Sequence, residues 1–346
     1  MQSINFNKED FLTCYNFARS SDIVHSEIIT RQEFESLKLD NTKIMYENDK
    51  YLLYKLKNFE IKENDIIFTN HFFLNELFNK LNKINNLKNI KLVTHWSDDV
   101  VDKKLFDKKP KCISKWYGIH VAYEHPDLIA LPVGIDSGHS TKNLLTNHFL
   151  KQNKNSSEKK EILLYINFQE NTNNAARKNV KELFINKDWA IIDKPNLPLE
   201  KYYERIADSK FVLSPLGNGP DTHRLWEALY TGSVPITKYH ETYQALKDLP
   251  IVFVDNYEDI SEELLESEYK RIKSEKFNFD KLKQSYWRNI ITENKINSNE
   301  SSIIFFNDYE LLIMKIKHKL IRNLLKYEKR IMFRVNQLKK KLNITS

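Results

Sequence analysis

Short apolar runs alternate with helix-spaced segments along most of this chain, and that alternation sets the first expectation. Asp65–Thr69 (DIIFT), Ile90–His95 (IKLVTH), Gly118–Ala122 (GIHVA) and Leu128–Val133 (LIALPV) have the length and apolar density of buried strands. Between the first two, Phe73, Leu74, Leu77, Phe78, Leu81 and Ile84 fall at helical spacing and predict a helix within His71–Asn86. The polar stretch Lys151–Lys160 (KQNKNSSEKK) reads as a linker. After it the pattern predicts strands at Glu161–Ile166, Trp189–Ile192, Lys210–Ser214, Val234–Thr237 and Ile251–Val254. Helices are predicted between them at Asn174–Asn186, Leu199–Asp208, Thr222–Thr231 and His240–Lys247. Such alternation means βαβ units and a parallel sheet. The expected architecture is α/β, with two Rossmann-like domains (1–150 and 151–270) facing a cleft and C-terminal helices over 271–346.

The last segment has a pattern of its own. From Ile313 the apolar residues fall at 313, 316, 320, 324, 327, 331, 335, 338 and 342, a helix with one continuous apolar stripe. Between Lys315 and Leu342 lie eleven Lys or Arg and one acid, Glu328, so the rest of the chain is net −3 although the whole is +7. Basicity confined to one helix argues against a nucleic-acid footprint over the whole protein. It fits a helix lying on an anionic membrane surface, or equally a long terminal helix packing on the domains or on a second subunit. The oligomeric state stays open.

At 346 residues and 41% hydrophobic, the chain is long enough and apolar enough for two cores. Its two cysteines, Cys14 and Cys112, stand outside any metal-ligand spacing, which points to a reducing compartment. No apolar run has the length of a signal peptide or a membrane span, so the expectation is a cytoplasmic protein, peripheral on the inner face of the plasma membrane if the tail binds lipid. There is no G-x-S-x-G elbow and no G-x-x-x-x-G-K-[ST] loop, which removes serine hydrolases and P-loop NTPases.

Chemistry concentrates in Lys210–Thr237, KFVLSPLGNGPDTHRLWEALYTGSVPIT, where three of only six glycines fall. The order is strand, Gly-containing loop, helix, turn, strand. Ser214, Pro215, Gly217, Asn218 and Gly219 make a loop whose backbone can approach a ligand. Asp221 or Thr222 would cap the following helix, whose start offers N–H donors to a phosphate. His223 and Arg224 sit in its first turn, and a guanidinium can form paired bonds to a diphosphate. Glu227, one turn on, can accept from ribose hydroxyls, and Gly232 ends the helix.

The run from Ser214 to Ile236 resembles the donor-site signature of exostosin-like glycosyltransferases, and looser resemblance extends from Asp65 to Val254. It includes Leu164–Lys178 (LYINFQENTNNAARK), THWSDD (Thr94–Asp99) and LPVGID (Leu131–Asp136). The resemblance implies a GT-B fold and inverting transfer of a sugar, UDP-linked by preference, from a nucleoside-diphosphate donor to a growing cell-surface glycan. It implies no obligatory metal or other cofactor. By the same resemblance Arg224 meets the diphosphate, Glu227 the ribose, and Arg177 with Lys178 adds positive charge near the leaving group. Rival readings are a fucosyltransferase-like enzyme using a GDP-sugar and a non-catalytic scaffold. An inverting transfer also needs a base from the opposite face. At the end of IKLVTH, Asp98 is the first candidate, His95 the second, and His71 the third, with Trp96 and Trp116 as stacking platforms for an acceptor sugar.

Overall fold

The structure is a computed structural model that describes residues 6–140, 142–152, 160–293, 295 and 300–341. The first half supplies strands β1 (Ile23–Val24), β2 (Ser26–Thr30), β3 (Thr42–Glu47), β4 (Tyr51–Leu56), β5 (Asn58–Lys62), β6 (Ile66–Asn70), β7 (Ile90–His95), β8 (Ile113–Gly118) and β9 (Leu128–Ala130). The second half supplies β10 (Ile162–Ile166), β11 (Ala190–Ile192), β12 (Ser209–Leu213), β13 (Val234–Lys238) and β14 (Val252–Val254), and β15 (Ser301–Phe305) comes late. Two five-stranded parallel sheets result, ordered β1-β6-β7-β8-β9 and β11-β10-β12-β13-β14. The α/β architecture with two Rossmann-like sheets is therefore the observed one. Most of the predicted linker, residues 153–159, lies outside the described residues.

Several boundaries differ from the expectation, each for a local reason. GIHVA is not a strand: β8 is the preceding ISKWYG and stops at Gly118, and His120 takes a left-handed φ of 56°. The helix expected over Asn174–Asn186 is broken after Arg177, because Asn179 adopts φ 63° and a separate 3₁₀ turn follows at Lys181–Phe184. The helix near His71 starts only at Leu74 and ends at Leu81. The first 60 residues add an antiparallel sheet, β2-β4-β3, and β5 pairs antiparallel with β15. In β5 Phe59 and Ile61 are buried while Asn58, Glu60 and Lys62 are exposed, the period-2 pattern of a half-covered strand.

One apolar core runs through both halves. Phe11, Phe17, Val93 and Tyr117 from the first half pack in the same cluster as Leu225, Trp226, Tyr230 and Trp287. The chain crosses back after the second sheet: the helix Gln284–Thr292 places Trp287 and Ile291 in that core. Its carboxyl end is held by Lys91, whose Nζ donates to Ile291 O at 2.7 Å and to Glu293 O. A cation at helix C-terminal carbonyls is the favourable end of the macrodipole.

Candidate functional site

Strand order places the site. From β10 the chain moves outward to β11, then returns to β12 on the other side of β10, so the loops after β10 and β12 part at their carboxyl ends. In open parallel sheets such a switch point leaves a crevice for ligands. Both segments singled out in the second half, 167–178 and 214–224, meet there.

Arg177 builds the floor of the crevice. It is 5% exposed, and its guanidinium donates to Leu216 O (2.8 Å), Pro215 O (3.1 Å) and Gln169 O (3.1 Å). Asn173 Nδ2 adds a bond to Gly217 O at 2.7 Å. Arg177 thus gives three of its five N–H donors to the loop. Burial, with repulsion from Arg224, brings its pKa down to about 10. Lys178 is exposed at the end of the same short helix.

Arg224 is different. It lies in the first turn of the helix His223–Tyr230, half-buried, and makes no hydrogen bond or ion pair among the described residues. Its Nε and the neighbouring Thr222 Oγ1 are both sealed from solvent without a partner. Orphaned polar atoms of this kind are costly and rare. Arg224 also pushes down the pKa of Lys181, though burial is the larger cause and Glu170 opposes both. Lys181 faces an open groove of about 450 Å³ with Phe168, Gln169, Glu170, Asn171 and Pro195, and its Nζ stands 4.9 Å over the Phe168 ring. Lys181 was not predicted; its position four residues after Arg177 was the available signal in a lysine-rich chain.

Four predicted ligand contacts turn out to hold the fold instead. Ser214 is fully buried, with its hydroxyl turned to Val212 O. Pro215 is buried and gives its carbonyl to Arg177. Asp221 accepts from Val133 N–H (2.8 Å) and from Trp226 Nε1–H, tying the donor loop to the first half, and Thr222 takes the N-cap position. Glu227 is 2% exposed, its oxygens taken by Tyr202 O–H (2.8 Å) and Leu144 N–H (3.1 Å), so it fastens a helix rather than facing a ribose.

Asp221 carries a pH signature. Burial pushes its carboxyl up to about 6. An acid whose folded pKa is raised holds a proton that the unfolded chain releases, so stability falls as pH rises from about 4 to 6 and levels off above. Asp221→Asn should remove that fall, on the order of 2 kcal/mol, as read from urea midpoints at pH 4, 5 and 6.

Across the crevice the first half contributes Asp98 and His120. Asn218 Nδ2 donates to Asp98 Oδ2 at 3.0 Å, so the first-choice base touches the donor loop. Gly219 is packed on His120: a Cβ there would stand 2.2 Å from Nε2 of the ring. Gly219→Ala should cost about 1–3 kcal/mol of stability by overpacking, measured by thermal unfolding. Adding His120→Ala should recover part of that loss, and strict additivity would show that the ring is not the obstacle. His223 donates from Nδ1 to Gly134 O at 2.8 Å, leaving Nε2 as the nitrogen without a partner among the described residues.

His95 is corrected as a base. It is 1% exposed and stacked on Phe17, with Nε2 on Pro132 O and Nδ1 accepting from Trp96 N–H. Burial holds its pKa near 3. His71 is nearly buried, its Nε2 without a partner, and burial outweighs Asp99 in lowering its pKa to about 4. Trp116 is fully buried and offers no platform. Trp96 remains half-exposed, with Nε1 donating to His139 and φ at 58°. Trp96 and His120 are both left-handed, at the ends of β7 and just past β8, the strained backbone that collects at functional edges. Among the described residues no group of three His, Cys, Asp or Glu is placed to hold a metal.

Comparison with known proteins bears on this same region. Residues 136–291 match the family model of the RXYLT1 C-terminal domain, a glycosyltransferase-related family. The stretch contains β10 to β14 and both loops of the crevice. A search of curated proteins returned no match. Among solved structures, "Crystal structure of GtfA/B complex" is similar with a TM-score of 0.30 and 11% identity over 78% of this chain. The chain spans 58% of that chain's length. The exostosin-like bacterial type expected from the sequence is not what the family model names. What the family match supports is a glycosyltransferase role in general.

Proposed function

We propose that the chain is an inverting glycosyltransferase moving a sugar from a nucleoside-diphosphate donor, UDP-linked by preference, to a growing cell-surface glycan. One observation carries the donor class: a half-buried guanidinium, Arg224, with a sealed Nε and no hydrogen bond or ion pair among the described residues, at the switch point of a parallel sheet. A diphosphate meets Arg224 and the orphan amides at the start of its helix. The nucleoside lies toward the groove at Phe168 and Lys181. The sugar then faces Asn218 and Asp98. In the transfer, the acceptor oxygen bonds the anomeric carbon as the bond to phosphate breaks. The acceptor proton passes to Asp98, and the charge on the departing diphosphate is held by Arg224 and Lys181.

The test is thermal stability with UDP, GDP, CDP and ADP, each with and without EDTA. A nucleotide at 100 times its dissociation constant should stabilise the fold by about 2.7 kcal/mol. A shift for UDP that survives EDTA supports the reading, and a shift for GDP alone moves it to the fucosyltransferase-like alternative. Stability unmoved by all four nucleotides overturns the donor site.

A further inference from the structure

The C-terminal helix, Asp308–Lys341, has two faces, and the structure shows which one meets the protein. Leu311, Met314 and His318 are buried, and the Arg322 guanidinium lies 3.3 Å over the Tyr46 ring. His318 packs edge-on against Phe72, with ring centroids 4.6 Å apart. These body-facing positions are spaced 3, 4 and 4 apart. The apolar stripe that begins Ile313, Ile316, Leu320, Leu324 has the same spacing two residues later, and two residues is about 200° around a helix. It points away from the body. From Ile313 to Val335 its described members are between 39% and 65% exposed. The helix thus packs on the domains through the other face, and the stripe is left uncovered. Tyr309 and Leu312 at the helix start, and Ile303 and Phe305 in β15 just before it, are exposed as well.

Charge selects what covers this stripe. The helix carries eleven Lys or Arg and one acid from Lys315 onward, and Lys315, Lys317 and Arg322 are engaged on the body with Ile44 O, Glu76 and Tyr46, which leaves eight. A second copy of the chain laid along the stripe would bring two such sets together, a like-charge clash. A nucleic acid would take the charge and leave the apolar stripe in water. A bilayer with anionic headgroups satisfies both, with the apolar side chains at the acyl boundary and the basic ones at the phosphates. The helix is about 51 Å long at 1.5 Å per residue, and among the described residues none is long and apolar enough to cross a membrane. We infer that the outward face of Asp308–Lys341 lies flat on an anionic bilayer and holds the protein there. This inference rests on the helix alone and is independent of the donor site.

The experiment is flotation of the full chain with vesicles of phosphatidylcholine, and of an equal mixture of phosphatidylcholine and phosphatidylglycerol. Binding to the mixed vesicles should exceed binding to the neutral ones by at least about tenfold and weaken with added salt. Leu320→Gln with Leu324→Gln should lower it by about tenfold or more at unchanged thermal stability, because both residues are exposed. Lys319→Gln, Lys326→Gln and Arg330→Gln together should lower it on the order of 100-fold. Equal binding to both vesicle types, or none, overturns the inference. So does a stable dimer that the Leu320 and Leu324 substitutions dissociate, or a salt-sensitive complex with duplex DNA that they leave intact.

Discussion

Arg224→Ala should abolish the nucleotide-induced rise in thermal stability while leaving the unliganded fold as stable as before, or more so. Among the described residues this guanidinium has no hydrogen-bond or ion-pair partner, its Nε is sealed without an acceptor, and it repels Arg177 and Lys181. Removing it relieves repulsion and breaks no hydrogen bond of the described fold. A residue kept for stability would show the opposite sign. Transfer should fall about 10²- to 10³-fold, the loss seen when one fixed donor to a developing charge is removed. Arg224→Lys should recover only part of it, since an ammonium supplies the charge without the paired geometry. Nucleotide titration by calorimetry, alongside unliganded melting of the three proteins, separates these outcomes. A destabilised Arg224→Ala that still binds nucleotide would make Arg224 a structural residue and move the diphosphate elsewhere.

The same arginine shows what was legible in the sequence. A basic residue just inside a helix that follows a glycine loop and a buried strand could be read from spacing, because strand, turn and helix are local events. The neighbours that decide its meaning are not local. Glu227 looked equally free three residues on, yet Tyr202 and the backbone of Leu144 hold it from two other segments. Asp221 looked like a helix cap and instead reaches Val133 in the first half. Arg177 reads as a second cation near the leaving group, and in the fold it also ties the carbonyls of the loop together. In each case partners distant in sequence fix the direction of the carboxylate or guanidinium. The antiparallel pairing of β5 with β15 escaped for the same reason, as its two strands lie at opposite ends of the chain. The tail is the converse case. Its 3-4-4 stripe was visible in sequence, whereas only the packing of Leu311, Met314 and His318 shows that the stripe faces outward.

Asp98→Asn should lower kcat by about 10²- to 10⁴-fold, the range for loss of a general base, with nucleotide affinity within a few-fold of wild type. Asp98 is the predicted base that the structure brings against the donor loop, through Asn218 at 3.0 Å, and it lies on the first half, opposite the phosphate cations. Asparagine keeps the size and one acceptor oxygen, so the contact to Asn218 and the loop position survive while the proton acceptor is lost. Asn218→Ala should therefore raise KM and lower kcat only modestly, because it removes one contact to the carboxylate and leaves the carboxylate in place. The rival is His71, whose buried Nε2 lacks a partner among the described residues, though burial brings its pKa down to about 4 and makes it a weak base at pH 7. If His71→Asn gives the large fall in kcat and Asp98→Asn does not, the base is the imidazole. Asp98 then serves only to hold the donor loop through Asn218, and its effect will appear in KM.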